Sequence, residues 1–332
     1  MQTKILTNKD TYLSIESTKC LKGIFAILVL IHHLYQYSGL FQDSFLSYFF
    51  QALGYLSVGM FFFYTGYGIT VSSKKKGYIK RFGCNKILPL YGFYICLILF
   101  YTLWQIILQY PISITILFQS LIFGNTIVPL GWYLQVTFII YFLLWGVFAK
   151  IKSDDNCIIV TGISLVVYSF ICANIGLSST WYESVFCVLL GMVWAMKKKQ
   201  IDYYLNKFPK LIIIINLLFF IICLFGFKIS PLLNIEFKML SAIFFAIFIT
   251  SLSYSIPKFF YLNRITKFFG DYSLEIYISQ GFFLLLRKNG IIYINESYLF
   301  ICIVVIGTLF LMVLMKKVYI NISSYIKSHH DK

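Results

Sequence analysis

Apolar runs of about twenty residues, separated by short lysine-rich segments, constrain this chain more than any single motif does. A helix needs about 20 apolar residues to cross a bilayer core. Within lipid every backbone N–H and C=O must be satisfied inside the protein, so such runs fold as helices. Ten runs are expected to span, over residues 20–40, 45–72, 87–108, 132–148, 157–176, 180–196, 211–227, 237–255, 272–286 and 297–315. The piece from Ile112 to Gly124 is too short to cross and reads as re-entrant or interfacial. Only 12% of the residues are charged, about half the share of a soluble domain. No soluble domain fits between the runs. The expected fold is an all-α polytopic membrane protein, about ten transmembrane helices in one bundle. Residues 1–19 form an N-terminal cytoplasmic segment, 20–315 the membrane domain and 316–332 a cytoplasmic tail.

The net charge of +16 invites a nucleic-acid reading, which the placement of the cations removes. Of the 28 lysines and arginines, all but Lys228, Lys238, Arg287 and Lys288 fall at the termini or in alternate loops on one side. Cytoplasmic loops carry the excess of Lys and Arg, so both termini are expected in the cytoplasm. The remaining consequence of the charge is attraction to anionic lipid. Eight cysteines stand singly, without a CxxC pair or metal-type spacing, and no bound metal is expected. The first apolar run is too long for a signal-peptide core and lacks an A-x-A site, so it is expected to be retained. No Walker A or G-x-S-x-G pattern occurs, which argues against ATP hydrolysis as a driving force.

Ionisable residues at membrane depth are costly and usually face a bundle interior or a water-filled cavity. Few occur here. The stretch KGIFAILVLIHHLY, Lys22 to Tyr35, carries a cation at its start and two histidines near its end. Eleven residues separate Lys22 from His33, three turns plus about 20°, so they share one face about 16 Å apart. His32 lies about 100° round from His33, so only one of the two can point straight into a common pocket. Histidine exchanges a proton near neutral pH, and the other two, His329 and His330, lie in the polar tail. Glu275, four residues into the ninth run, could hold a histidine or lysine charged; it could equally be a carboxylate favoured by a helix start. Glu183, Glu236 and Lys238 stand at the outer ends of runs. Lys80, Arg81 and Lys86, in the most basic loop, are either a topology anchor or a surface for a phosphate-bearing cytosolic ligand, for which Arg suits bidentate contact. The aromatic stripe of Trp132, Tyr133 and Tyr141 is more often an interface belt than a site.

Several of these stretches, in this order, resemble the integral-membrane acyltransferase 3 family. Lys22-Gly23-Ile24 followed by His33 resembles its first-helix motif. Val58-Gly59-Met60-Phe61-Phe62-Phe63-Tyr64-Thr65-Gly66-Tyr67 is similar to its second-helix block. Lys80-Arg81-Phe82, with Lys86 to Tyr91, resembles the start of its third helix. Trp132-Tyr133-Leu134 with Tyr141, and Ser273 to Ile278, resemble two later blocks. Departures are Lys22 for the commoner arginine, Thr65 for serine, Lys80 in a half-arginine block and Gln280 where a histidine is usual. No extracytoplasmic esterase-like domain follows the tenth run, so the acceptor is expected to meet the membrane domain itself or a partner protein. The resemblance implies acyl transfer, usually of acetyl, from cytosolic acetyl-CoA or another acyl-CoA to a hydroxyl of a cell-surface glycan or its lipid-linked precursor. His33 would then be general base or transient acyl carrier, with Lys22, His32 and Glu275 in supporting roles. Lys80, Arg81, Lys86, Trp132 and Tyr133 would bind the donor. No other bound cofactor is expected. The host membrane is read as a bacterial plasma membrane, and glycan-synthesis proteins are possible partners. A flippase or transporter of a glycan or lipid precursor is the rival reading, and a scaffold in a glycan-synthesis complex is a third.

Overall fold

The structure, a computed structural model, describes residues 12–42, 44, 46–229, 233–256, 264–287 and 294–330. Among the expected topogenic cations, Lys4, Lys9, Lys258, Lys288 and Lys332 lie outside these. The described residues form thirteen α-helices and no strand. In chain order they are α1 (Ile15–Ser38), α2 (Ser47–Ser73), α3 (Leu88–Ile107), α4 (Ile114–Leu121), α5 (Trp132–Lys150), α6 (Asp154–Asn174) and α7 (Phe186–Met196). Then follow α8 (Lys198–Lys207), α9 (Pro209–Ile229), α10 (Asn234–Ser255), α11 (Arg264–Asp271), α12 (Ser273–Leu284) and α13 (Ser297–His330).

Seven stretches among the described residues are long and apolar enough to cross a membrane: Gly83–Ile107, Trp132–Lys150, Asp154–Asn174, Ser179–Met196, Pro209–Gly226, Asn234–Ser255 and Ser297–His329. The three other expected spans fold as α1, α2 and α12. Lys19, Lys22, His32 and His33 dilute α1, serines, tyrosines and glycines dilute α2, and α12 has only 12 residues. Three local differences from the sequence reading have physical causes. The basic segment after α7, expected as a loop, is the amphipathic helix α8, which buries Asp202 and Leu205, three residues apart and so on one face. The sixth expected span is broken: a 3-10 turn at Ser179–Trp181 precedes α7, and Ser178 caps it by accepting from the Thr180 N–H. The tail beyond Met315 is not loose but continues α13 to His330.

The chain divides into two compact units, residues 1–32, 43–72 and 162–273, and residues 33–42, 73–161 and 274–332. In the first, α2 and α7 meet backbone to backbone. A methyl at Gly66 would run into the Val188 carbonyl, and one at Gly191 into the Phe63 carbonyl. Small residues permit such approach in lipid, where helix association depends on packing. α9 and α10 form a hairpin sealed by stacked Phe219 and Phe244, 5.0 Å between centroids, and by Phe220 against Phe245. A buried polar network closes one end of this unit. Trp194 Nε1 donates to the Tyr12 hydroxyl (2.9 Å), which donates to Asp202 Oδ1 (2.7 Å), and Lys198 pairs with Asp202 Oδ2 at 2.6 Å. Burial and the neighbouring Asp202 push the Tyr12 hydroxyl well above its ordinary range, so it stays protonated and donating. A second network joins Lys238 to buried Glu183 (3.4 Å), which also accepts from Ser179 (2.8 Å).

In the second unit, α3 packs on α13 through Phe93 against Tyr319, 5.6 Å between centroids. The short helix α4, within the segment read as re-entrant or interfacial, is tied to α5 by Gln135. Its amide donates to the carbonyls of Gln119 and Ser120 and accepts from the Gly124 N–H. Those backbone groups would otherwise be left unsatisfied at a helix end.

Two glycines of α2 test the account of the α2–α7 seam. Gly66→Ala forces the helices apart and should destabilise the detergent-solubilised protein by about 1–3 kcal/mol. Gly68→Ala, where a methyl meets nothing within 4 Å, should be neutral or slightly stabilising. A thermal unfolding midpoint lowered only in the first variant is the expected result.

Candidate active site

The second unit carries most of the candidate residues. His33, on α1, is 7% exposed. Its ring meets Tyr277 of α12 edge-on, 6.3 Å between centroids, and Tyr277 leans against Tyr133 of α5 at 4.9 Å. His33, Tyr277 and Tyr133 therefore form a continuous row drawn from three helices, the first two buried and Tyr133 half-buried. The apolar faces of α1, α5 and α12 explain its burial, and the aromatic rings supply edge-to-face contact that a histidine shares.

Glu275 lies two residues before Tyr277, about 200° round α12, so the two point to different sides. Its carboxylate is 1% exposed and pairs with Lys316 of α13 at 3.1 Å. A buried carboxylate is tolerated only when paired. The expected cationic partner of Glu275 is thus a lysine and not a histidine. Lys316 itself escaped the sequence reading, because a cation just after an apolar run looks like a topology anchor. The missed signal was the length of apolar and helix-forming sequence continuing beyond it.

The basic segment folds around one buried ring. Phe82, 1% exposed, packs on Tyr78 and Tyr141, and Trp145 Nε1 donates to the Ile79 carbonyl at 3.1 Å. Lys80, Arg81 and Lys86 all remain exposed around this anchor. A π-helical turn, Gly83–Ile87, leads directly into α3, and Lys327 from the end of α13 adds a further cation close to Lys86. Lys74 also belongs to this surface, facing Asp154 at 3.7 Å; both are half exposed, so that pair contributes little.

The candidates expected to act together on the donor are divided. Trp132 and Tyr133 open α5, whereas the basic segment is anchored near its other end, at Tyr141 and Trp145. Tyr133 and Trp145 are twelve residues, about 18 Å, apart along the helix. Tyr133 stands with His33 instead.

Two candidates lie in the first unit. His32 points away from His33, and its Nδ1 donates to the Phe50 carbonyl of α2 at 2.8 Å. Its ring covers Gly54, where a methyl would collide with it. It pins α1 to α2. Lys22 holds its ammonium 5.9 Å from the centre of the buried Tyr64 ring, a cation–π contact. Gln280, fully buried on α12, donates to the Tyr277 carbonyl at 3.2 Å. Among the described residues no group of three His, Cys, Asp or Glu side chains could hold a metal ion.

A helical protein with seven candidate spans among its described residues is of the multi-pass membrane class, and this one also holds a buried histidine and a buried carboxylate paired with a half-buried lysine. Comparison with known families narrows this class: the family model for the acyltransferase domain matches residues 15–317. The chain belongs to the acyltransferase 3 family, and its class of activity is that of a membrane acyltransferase. No curated protein and no solved structure matches it.

The Glu275–Lys316 pair makes a direct prediction. Lys316→Met leaves a carboxylate buried without its cation and should destabilise the protein by about 3 kcal/mol or more. The double variant Glu275→Gln/Lys316→Met should recover much of that loss. Unfolding midpoints of the two single variants and the double variant, read as a cycle, check it.

Proposed function

We propose that the protein moves an acetyl or other short acyl group from cytosolic acyl-CoA to a hydroxyl of a cell-surface glycan or its lipid-linked precursor. In this reading it sits in a bacterial plasma membrane with about ten spans and both termini in the cytoplasm. Three expected spans (α1, α2 and α12) then cross less apolar surroundings than the other seven. Lys80, Arg81 and Lys86, with Lys327, hold the phosphates of the donor at the cytoplasmic end of α3. Glycan-synthesis proteins deliver the acceptor.

The observation that carries the reading is His33, a buried histidine on an apolar helix, within a chain of this family. Tyr277, backed by Tyr133, meets its ring from one side, which orients a base before substrate arrives. In the reaction His33 accepts the proton of the acceptor hydroxyl, whose oxygen attacks the thioester carbonyl. A C–O ester bond forms, the C–S bond breaks, and the proton leaves with the sulfur as coenzyme A thiol. Such general base catalysis is worth roughly 100- to 10,000-fold. Glu275 does not touch His33; its part is to hold Lys316 and so fix α13 against α12.

Purified protein in proteoliposomes, given acetyl-CoA and unmodified surface polysaccharide, should release free thiol in step with ester formation. His33→Ala should slow both by about 100-fold or more with the protein still folded. Thiol release equal in wild type and His33→Ala removes His33 from the chemistry. Glycan movement across the membrane without thiol release would favour a carrier.

A further inference from the structure

The second unit contains a cavity of about 280 Å³ that none of the motif residues explains. Its walls include Tyr37 of α1, Tyr101, Trp104 and Gln105 of α3, and Tyr110 and Thr126 from the segments flanking α4. No charged side chain lines it among the described residues. Aromatic residues at such a depth often form an interface belt facing lipid. Here the rings turn inward: Tyr101 is 3% exposed, and Trp104 packs on Phe282 at 5.2 Å between centroids.

The position of the cavity is set by helix geometry. Tyr37 is one turn beyond His33 on α1, and Gly281, which also lines the cavity, is one turn beyond Tyr277 on α12. The contact between His33 and Tyr277 therefore lies about 6 Å along the helix axes from the cavity wall. Trp104 is eighteen residues beyond Lys86, so the cavity lies about 27 Å along the helical run from the basic surface. Gly281 is pressed against Pro129, whose Cβ a methyl would approach to 3.0 Å. That close fit holds the 126–130 segment as a wall of the cavity.

We propose that this cavity is the acceptor subsite and that it takes one neutral, hydroxyl-rich ring, a sugar unit of the glycan. The inference rests on the acyltransferase reading and names where its second substrate binds. Aromatic faces offer an apolar surface with polar handles at the rim, which suits the C–H face of a sugar ring. The Gln105 amide, the tyrosine hydroxyls and Thr126 supply donors and acceptors for its hydroxyls. The absence of charge among these walls disfavours a phosphate or ammonium headgroup, whose burial would need a counter-ion. The volume, about 280 Å³, falls just below the roughly 300–1,000 Å³ of a pocket for a whole drug-sized ligand, so one ring is seated and the rest of the glycan stays outside. A hydroxyl of that ring, directed down α1, reaches toward His33.

The test uses oligosaccharides released from surface polysaccharide of a strain deleted for the gene, which carry unmodified hydroxyls. Gln105→Leu keeps the side-chain volume and removes the amide. Trp104→Leu removes the aromatic face, and Trp104→Phe retains one. Gln105→Leu and Trp104→Leu should each raise the KM for the oligosaccharide about tenfold or more. The kcat and the KM for acetyl-CoA should stay within about twofold, and Trp104→Phe should recover most of the loss. Leu103→Ala, an outward residue 60% exposed, should change nothing. Oligosaccharide KM unchanged in both folded variants overturns the subsite. Calorimetric titration of the same oligosaccharide separates this from failure of the enzyme reading. If wild type transfers no acyl group yet binds the oligosaccharide, and Gln105→Leu does not bind it, the acyltransferase reading fails and the sugar site stands. If wild type does not bind it at all, the subsite is refuted.

Discussion

The ion pair between Glu275 and Lys316 is the interaction on which the second unit depends. A carboxylate in an apolar interior cannot stay charged unless its cation arrives with it. The two residues lie on consecutive helices, one near the start of α12 and the other midway along α13, so the pair forms only when α12 and α13 are seated together. Once they are, Tyr277 is presented on a different side of α12, where it meets His33. Tyr319, one turn beyond Lys316, meets Phe93 of α3. One buried carboxylate and its half-buried lysine thus set the register of the last helix against both the α12 row and the start of α3.

The first unit reaches the same end with different means. Its helices are joined where side chains are absent: Gly66 and Gly191 let α2 and α7 touch at the backbone, and Gly23 and Gly270 do so for α1 and α11. The ion pairs beside the latter, Lys19 with Asp271 and Lys267 with Glu16, are substantially exposed and add little. Glu16 raises the affinity of the Lys267 ammonium for its proton, but solvent screens the gain. Dispersion at close range does the work that hydrophobic burial does in a water-soluble protein.

Much of this was legible in the sequence because membrane helices announce themselves by length and hydropathy. The apolar runs, the short non-spanning piece at α4 and the exposed basic segment all follow from local composition. His33 stood out because a titratable side chain in an apolar run has few reasons to be there. What was illegible depends on how separate helices meet. Lys316 looked like a terminal anchor until α12 lay beside it. Trp132 and Tyr133 were joined to Arg81 through the family resemblance, while α5 places them toward the end opposite the one that anchors the basic segment. α8 was hidden by its lysines, since only the burial of Asp202 and Leu205 reveals its inner face. The sugar-sized cavity has no motif at all, because its walls come from four places in the chain.

The last helix has a mechanical consequence. Its 34 residues make a rod about 51 Å long, well beyond the roughly 30 Å of a hydrocarbon core. After Gly307 it contains neither glycine nor proline, the usual causes of a sharp kink. Set upright across a bilayer, such a rod leaves about twenty ångströms of stiff helix outside the hydrocarbon. The far end of that rod is no slack tether: Ile322 and Ile326 lie over Gly92 of α3, so its last turns are held by the start of another helix.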